Sequence, residues 1–221
     1  MPSPSLSVAA LLFDMDGVLL HSTPIHVKTW TLFLQRKGMK VPDIQGRMLG
    51  MRNDELVAEL FGPNLSREER QQIGREKEAL YRELMAPVLE EHLVPGVREF
   101  ILRHRDLPMA VVSNAERANI DLVLDGAGLR PYFAAVVDGS EVERPKPFPD
   151  IYLIAARQLG VSPEECVIFE DSQLGIAAAK ATGAQVVGLR TTLRELPPVD
   201  LAIDDFHSPE LDWRMQNHAA R

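Results

Sequence analysis

Four short stretches of this 221-residue chain carry side chains whose types and spacing could do chemistry together. The first is Phe13-Asp14-Met15-Asp16-Gly17-Val18. In extended backbone alternate side chains share a face, so Asp14 and Asp16 can address one site. Two crowded acids repel unless a cation lies between them, and a hard, oxygen-liganded Mg2+ suits that place. Asp and Gly are also common turn formers, so the stretch alone also reads as a solvated turn. The second is Val111-Val112-Ser113-Asn114, in which Ser113 and Asn114 form either a helix cap or a cradle for phosphate oxygens. In the third, Arg144-Pro145-Lys146-Pro147-Phe148-Pro149-Asp150, prolines constrain the backbone on both sides of Lys146. That suits a cation held at a fixed point; an exposed loop lysine is the plainer reading. The fourth, Ile168-Phe169-Glu170-Asp171-Ser172, brings two more acids that would complete a metal site, while Asp171 or Ser172 could also cap the helix beyond Gly175.

The elements that must position these residues follow from hydrophobic patterning. Runs apolar at consecutive positions (9–13, 109–112, 134–137, 166–169, 185–189 and 201–203) fit strands covered on both faces. Helix-period stretches separate them beyond Met109: Ile120, Val123, Leu124 and Ala127 share one face, and Ile151, Ile154, Ala155 and Leu159 another. Alternation of this kind predicts an α/β fold, a doubly wound, Rossmann-like parallel sheet that binds ligands outside the carboxyl ends of its strands. All four stretches fall at such ends.

Residues 21–92 break the alternation. Ile25, Val27, Trp30, Phe33 and Leu34 mark one helix, Leu56, Val57, Leu60 and Phe61 another, and Ile73, Leu80, Leu84 and Val88 a longer one. Pro95-Gly96 then marks a turn into the resumed pattern. The expected organisation is a core domain of residues 1–20 and 93–221 with an inserted all-helical domain, 21–92, beside the first strand's carboxyl end, where it could act as a lid.

Composition excludes some partners. Hydrophobic residues make up 45% and charged residues 25%, as in an ordinary globular protein. A net charge of −8 argues against nucleic acid or an anionic membrane, both of which need a basic face. A phosphate remains admissible if a metal and local cations offset the charge. Cys166 is the single cysteine, which excludes an internal disulfide, and its apolar surroundings place it in a buried strand. The N-terminus lacks signal-peptide features, and the run over 8–13 is too short to span a bilayer, so the expected protein is soluble and cytoplasmic.

With these motifs in order, the sequence resembles the haloacid dehalogenase (HAD) superfamily over nearly its whole length, and within it the β-phosphoglucomutase-like branch with a helical cap. Asp14-Met15-Asp16-Gly17, Ser113-Asn114, Lys146 and Glu170-Asp171-Ser172 look like its four motifs. The resemblance implies a phosphatase of a small phosphorylated metabolite, sugar-phosphate-like, acting as a monomer or weak homodimer. Asp14 would be the nucleophile and form an aspartyl-phosphate. Asp16 would protonate the leaving oxygen and then activate water. Mg2+ would be held by Asp14, the main-chain carbonyl of Asp16 and Asp171, with Glu170 a ligand directly or through water. Ser113, Asn114 and Lys146 would hold the phosphoryl oxygens. A dehalogenase has no need of Asp16.

Departures from the family pattern bear on the substrate. His21 stands where close relatives carry an acid, and His26 matches a cap histidine that helps couple cap closure to the acid–base aspartate in mutases, although a lone histidine on a helix also reads as structural. Leu49 and Asn53 replace the lysine and arginine that flank the specificity-loop glycine, here Gly50, in β-phosphoglucomutases. Arg52, one place away, could grip a distal anionic group or be solvated. The missing lysine disfavours the alternative, a phosphomutase of the β-phosphoglucomutase type. Lys40 does not match the Schiff-base lysine of a phosphonatase.

Overall fold

The computed structural model describes residues 8–48 and 53–216. Six strands, β1 (Ala10–Phe13), β2 (Met109–Ser113), β3 (Ala135–Asp138), β4 (Cys166–Glu170), β5 (Gln185–Leu189) and β6 (Leu201–Ile203), form one sheet in the order β3-β2-β1-β4-β5-β6. Every pairing is parallel. The order reverses at β1, between β2 and β4, and there the carboxyl ends open the crevice in which doubly wound folds bind ligands. Three strands run one residue beyond the apolar runs and end on Ser113, Asp138 and Glu170. The ladder itself thus fixes the backbone of the polar residues that follow the core.

Alternation through the sheet separates two buried faces. Ala10, Leu12, Val112, Ile168 and Val186 pack with Ile151, Tyr152, Ala155 and Ala156 of α8 (Asp150–Leu159) and with Ile176 of α9 (Gln173–Lys180). The opposite face is aromatic. Phe13 stacks on Phe169 of the neighbouring strand at 4.7 Å, and Phe100 and Phe206 close around Phe169 at 5.4 and 5.3 Å. The buried face of α8 is rotated from the expected one: Tyr152 and Ala156 lie inside, while Ile154 and Leu159 are only partly covered. Helix α7 (Arg117–Gly126) buries Ile120, Val123 and Leu124, and Ala127 beyond its end is buried as well.

The chain divides into two compact units, Met1–His21 with Leu89–Arg221, and Ser22–Val88. The short helix α5 (Leu89–His92) belongs to the first, four residues that the sequence pattern assigns to the insert. Leu89 packs so closely against Gly126 that a Cβ there would meet its Cδ2 at 2.4 Å. The second unit holds α1 (Thr23–Arg36), α2 (Ile44–Met48), α3 (Asn53–Phe61) and α4 (Arg67–Met85) around Trp30, Phe33, Leu34, Leu56, Val57 and Leu80. Ser66 starts α4 with a capping box: its Oγ accepts from the Glu69 main-chain N–H, and the Glu69 carboxylate accepts from the Ser66 main-chain N–H. Among the described residues no helix is long and apolar enough to cross a membrane.

Phe100 is fully buried on α6 (Val97–Arg103) and touches four rings, Phe13, Phe169, Phe206 and His104. Phe100→Ala should cost about 3–5 kcal/mol in urea unfolding, with the midpoint lowered and the slope unchanged.

Candidate active site

Asp14 leaves β1 with its main-chain N–H donating to Phe169 O of β4 at 3.0 Å, so the ladder carries its side chain to the carboxyl edge. There the buried Lys146 ammonium donates to Asp14 Oδ1 at 2.6 Å, to Glu170 Oε1 at 2.5 Å and to the main-chain oxygen of Val112 at 3.4 Å. All three donors of the lysine thus have acceptors. The loop that carries it is fastened by Arg144, which forks onto both oxygens of Asp150 and lies over the ring of Phe148.

Glu170 is wholly buried. Its Oε1 accepts from Lys146 and from the Tyr152 hydroxyl at 2.7 Å. Its Oε2 accepts from the main-chain N–H groups of Asp171 and Ser172 at 3.0 and 3.2 Å and from Ser172 Oγ at 3.1 Å. A carboxylate offers roughly four lone-pair positions, so these donors occupy Glu170. Ser172 also caps α9, its Oγ accepting from Gly175 N at 3.0 Å. The helix-capping and site-building readings of this stretch therefore hold together.

Asp14, Glu170 and Asp171 each present an oxygen within 4.8 Å of the others. Asp16 is half-buried, and its charge acts on both Asp14 and Asp171. Burial raises the Asp14 carboxyl well above its usual range; Lys146 opposes this and the neighbouring acids add to it. Burial, then Glu170, raises Asp171 to about 7, against a hydrogen bond from Thr192. Burial pushes Glu170 up as well, but the Lys146 charge together with the hydrogen bonds from Lys146, Tyr152 and the Ser172 main chain lowers it on balance. Burial works against the charge on Lys146, yet Asp14 and Glu170 raise its pKa and hold it charged. Among the described residues, one buried lysine faces four acids, so the cluster suits a further cation. Asp14 and Asp171 suit it as direct ligands better than Glu170, whose oxygens are occupied.

Two glycines make room for these acids. Gly17 has φ +79°, and a Cβ on it would lie 1.8 Å from Asp171 Oδ2. Thr191 Oγ1 donates to Gly17 O at 2.6 Å, with Asp171 Oδ2 at 3.4 Å, tying the two acidic stretches together. A Cβ on Gly175 would lie 1.8 Å from Glu170 Oε1.

Ser113 and Asn114 sit at the end of β2 but do not cap α7, whose N-cap is Glu116. Ser113 is buried, its Oγ accepting from Ala115 N at 3.1 Å, whereas Asn114 is exposed. His26 lies in the helical unit, stacked on Tyr81 at 3.9 Å with Nδ1 2.9 Å from Lys77 Nζ. Burial and Lys77 hold its pKa well below the usual value. Arg52, like Leu49 and Gly50, lies outside the described residues. Sequence reasoning missed Tyr152 and Thr191. The first left a signal in α8, where a tyrosine takes a position that any apolar ring would fill. The second had no pattern to mark it.

A model of the haloacid dehalogenase-like hydrolases matches residues 8–183. The chain is 36% identical over 185 residues to a fructose-1-phosphate phosphatase, YqaB, of Escherichia coli K12, covering 82% of this chain and 96% of that one. It is 28% identical over 190 residues to a β-phosphoglucomutase of Bacillus subtilis, covering 81% and 82%. The crystal structure of a HAD hydrolase, family IA, variant 3, from Entamoeba histolytica superposes with a TM-score of 0.82 at 26% identity, covering 96% of this chain and all of that one.

Two outcomes follow from the geometry. Alanine normally stabilises a helix by about 1 kcal/mol over glycine, but Gly175→Ala should destabilise in thermal unfolding, because its Cβ meets a buried, fully bonded carboxylate. Asp171 titrates higher folded than unfolded, so this group's contribution to stability falls as pH rises from about 4 to about 7. A cation that needs the carboxylate reverses that trend. The gain in Tm on adding Mg2+ should therefore be larger at about pH 8 than at about pH 5.5.

Proposed function

The chain belongs to the haloacid dehalogenase-like hydrolases, and on that premise we propose that it is a Mg2+-dependent phosphatase of a small phosphorylated sugar, working through an aspartyl-phosphate on Asp14. The observation that carries the reading is the Lys146 ammonium bonded to Asp14 Oδ1 and Glu170 Oε1 beside Asp171. It supports a carboxylate held in one orientation next to a fixed positive charge, as in-line attack on phosphorus requires.

A carboxylate oxygen of Asp14 forms a bond to phosphorus as the ester P–O bond breaks, and Asp16 gives its proton to the departing oxygen. Asp16, now a base, takes a proton from water; that water attacks the same phosphorus and returns Asp14 with free phosphate. Lys146, Ser113 and Asn114 hold the equatorial oxygens, whose charge is spread in the transition state. Mg2+, held by Asp14, Asp171 and the main-chain carbonyl of Asp16, would neutralise charge on the transferred group. Glu170 serves it indirectly, through Lys146 and the turn at Asp171.

The helical insert, residues 21–92 on the sequence pattern, would be the cap that selects substrate, with His26 and Arg52 as its contributing side chains. A sugar phosphate is the first choice because the similar E. coli protein is named for fructose 1-phosphate. Water is the acceptor because Leu49 stands where a mutase carries its lysine.

Phosphate release from a panel of phosphorylated sugars with Mg2+ tests the reading. Asp14→Asn should lose release entirely while keeping the parent's folded far-UV circular dichroism, and Asp16→Asn should lose about 10²–10⁴-fold in kcat. Substantial turnover by Asp14→Asn would overturn the nucleophile. Rapid isomerisation of β-glucose 1-phosphate with a bisphosphate primer and little free phosphate would make the chain a mutase.

A further inference from the structure

Tyr152 is fully buried on α8, its ring packed among the alanines, valines and isoleucines beneath the sheet. Nothing in that packing needs a hydroxyl, since phenylalanine fills the same space, and a phenol without a partner there costs free energy. The hydroxyl instead reaches the carboxyl edge and donates to Glu170 Oε1 at 2.7 Å. That is the oxygen which accepts from Lys146 at 2.5 Å. The same ring lies under the ammonium, with Nζ 4.9 Å from its centroid.

We propose that Tyr152 is a positioning residue for Lys146: its hydroxyl sets the rotation of the Glu170 carboxylate and its ring face supports the ammonium, so that the lysine points at Asp14. Both contacts act on one cation from below, a hydrogen bond through Glu170 and the negative face of the ring directly. A lysine stem is flexible and its ammonium is a point charge without preferred direction. Its aim must come from neighbours, and Tyr152 touches both the charge and its counter-ion. The role of Lys146 in holding the phosphoryl oxygens rests on the phosphatase reading above; the positional statement does not.

The test is a double-mutant cycle on the full-length protein with Mg2+, comparing parent, Tyr152→Phe, Glu170→Gln and the double variant. Tyr152→Phe keeps the ring and removes the hydroxyl. Its kcat should fall on the order of tenfold, the worth of one hydrogen bond to a charged group, with KM changed less than about twofold. The double variant should be no slower than Glu170→Gln alone, because the hydroxyl acts through that carboxylate. Parent-like kcat in Tyr152→Phe, or losses that multiply in the double variant, would overturn the proposal. A second measurement needs no turnover: the ¹H–¹⁵N signal of the buried Lys146 ammonium, identified by its loss in Lys146→Arg. It should be sharp in the parent and shifted or broadened in Tyr152→Phe. If the parent releases no phosphate from any ester, the phosphatase reading fails and this signal alone decides the role of Tyr152. An unchanged signal would then refute it.

Discussion

The site depends on one buried positive charge. Lys146 is shut away from water, where an ammonium would ordinarily give up its proton, and two carboxylates keep it charged. The dependence is mutual. Removing one partner of such a group leaves the others as unpaired buried charges, typically a loss of about 3–5 kcal/mol. Three pieces of chain far apart in sequence meet at this point: the end of β1, the proline-bound loop before α8, and the end of β4. The ladder between β1 and β4, with Phe13 opposite Phe169, holds two of them in register. The bidentate Arg144–Asp150 pair fastens the third.

The acids exceed what one lysine can balance, and the surplus gives the site its chemical character. Asp14 and Asp171 titrate high because burial and like charges penalise their ionised forms, while Glu170, closest to the lysine and richest in donors, does not. One carboxylate is thus saturated and serves as scaffold, and two are under electrostatic pressure to take a proton or a cation. The backbone concedes space to this arrangement. Gly17 adopts a left-handed φ, and Gly175 stands inside a helix where alanine would otherwise be favoured; each leaves less than 2 Å between a would-be Cβ and an acid oxygen.

Much of this was legible in sequence because the signals were local. Apolar runs placed all six strands to within a residue or so, and the break in alternation after His21 separated a helical stretch from the sheet. The acids and Ser113 stood out because each follows such a run, and Lys146 because prolines flank it. Contacts across the fold were hidden. Nothing near Thr191 announces that its hydroxyl reaches Gly17, 174 residues away. Periodicity puts the buried stripe of α8 on Ile151, Ile154, Ala155 and Leu159 and so passes over Tyr152; Ile151 and Ala155 are buried, but packing of that helix against β1, β2 and β3 turns Tyr152 and Ala156 inward in place of Ile154 and Leu159. In the helical unit the spacing of Ile73, Leu80 and Leu84 puts Lys77 on their face, but a lysine and its neighbour Glu78 carry no apolar signal to mark them as buried there.

That second buried lysine shows how differently one charge can be housed. Lys146 has two carboxylates. Lys77 has one, Glu78 at 2.8 Å, and makes up the remainder with the faces of Trp30 and Tyr81 and with the ring nitrogen of His26. An ammonium carries no acceptor, so the 2.9 Å contact fixes His26 Nδ1 as the accepting nitrogen. The proton of the neutral ring must then sit on Nε2. Burial and the adjacent positive charge both resist a second proton, so the ring stays neutral at ordinary pH. A histidine in isolation could donate, accept or carry charge. Held against Tyr81 and bonded to Lys77, His26 is reduced to one role, a neutral donor through Nε2.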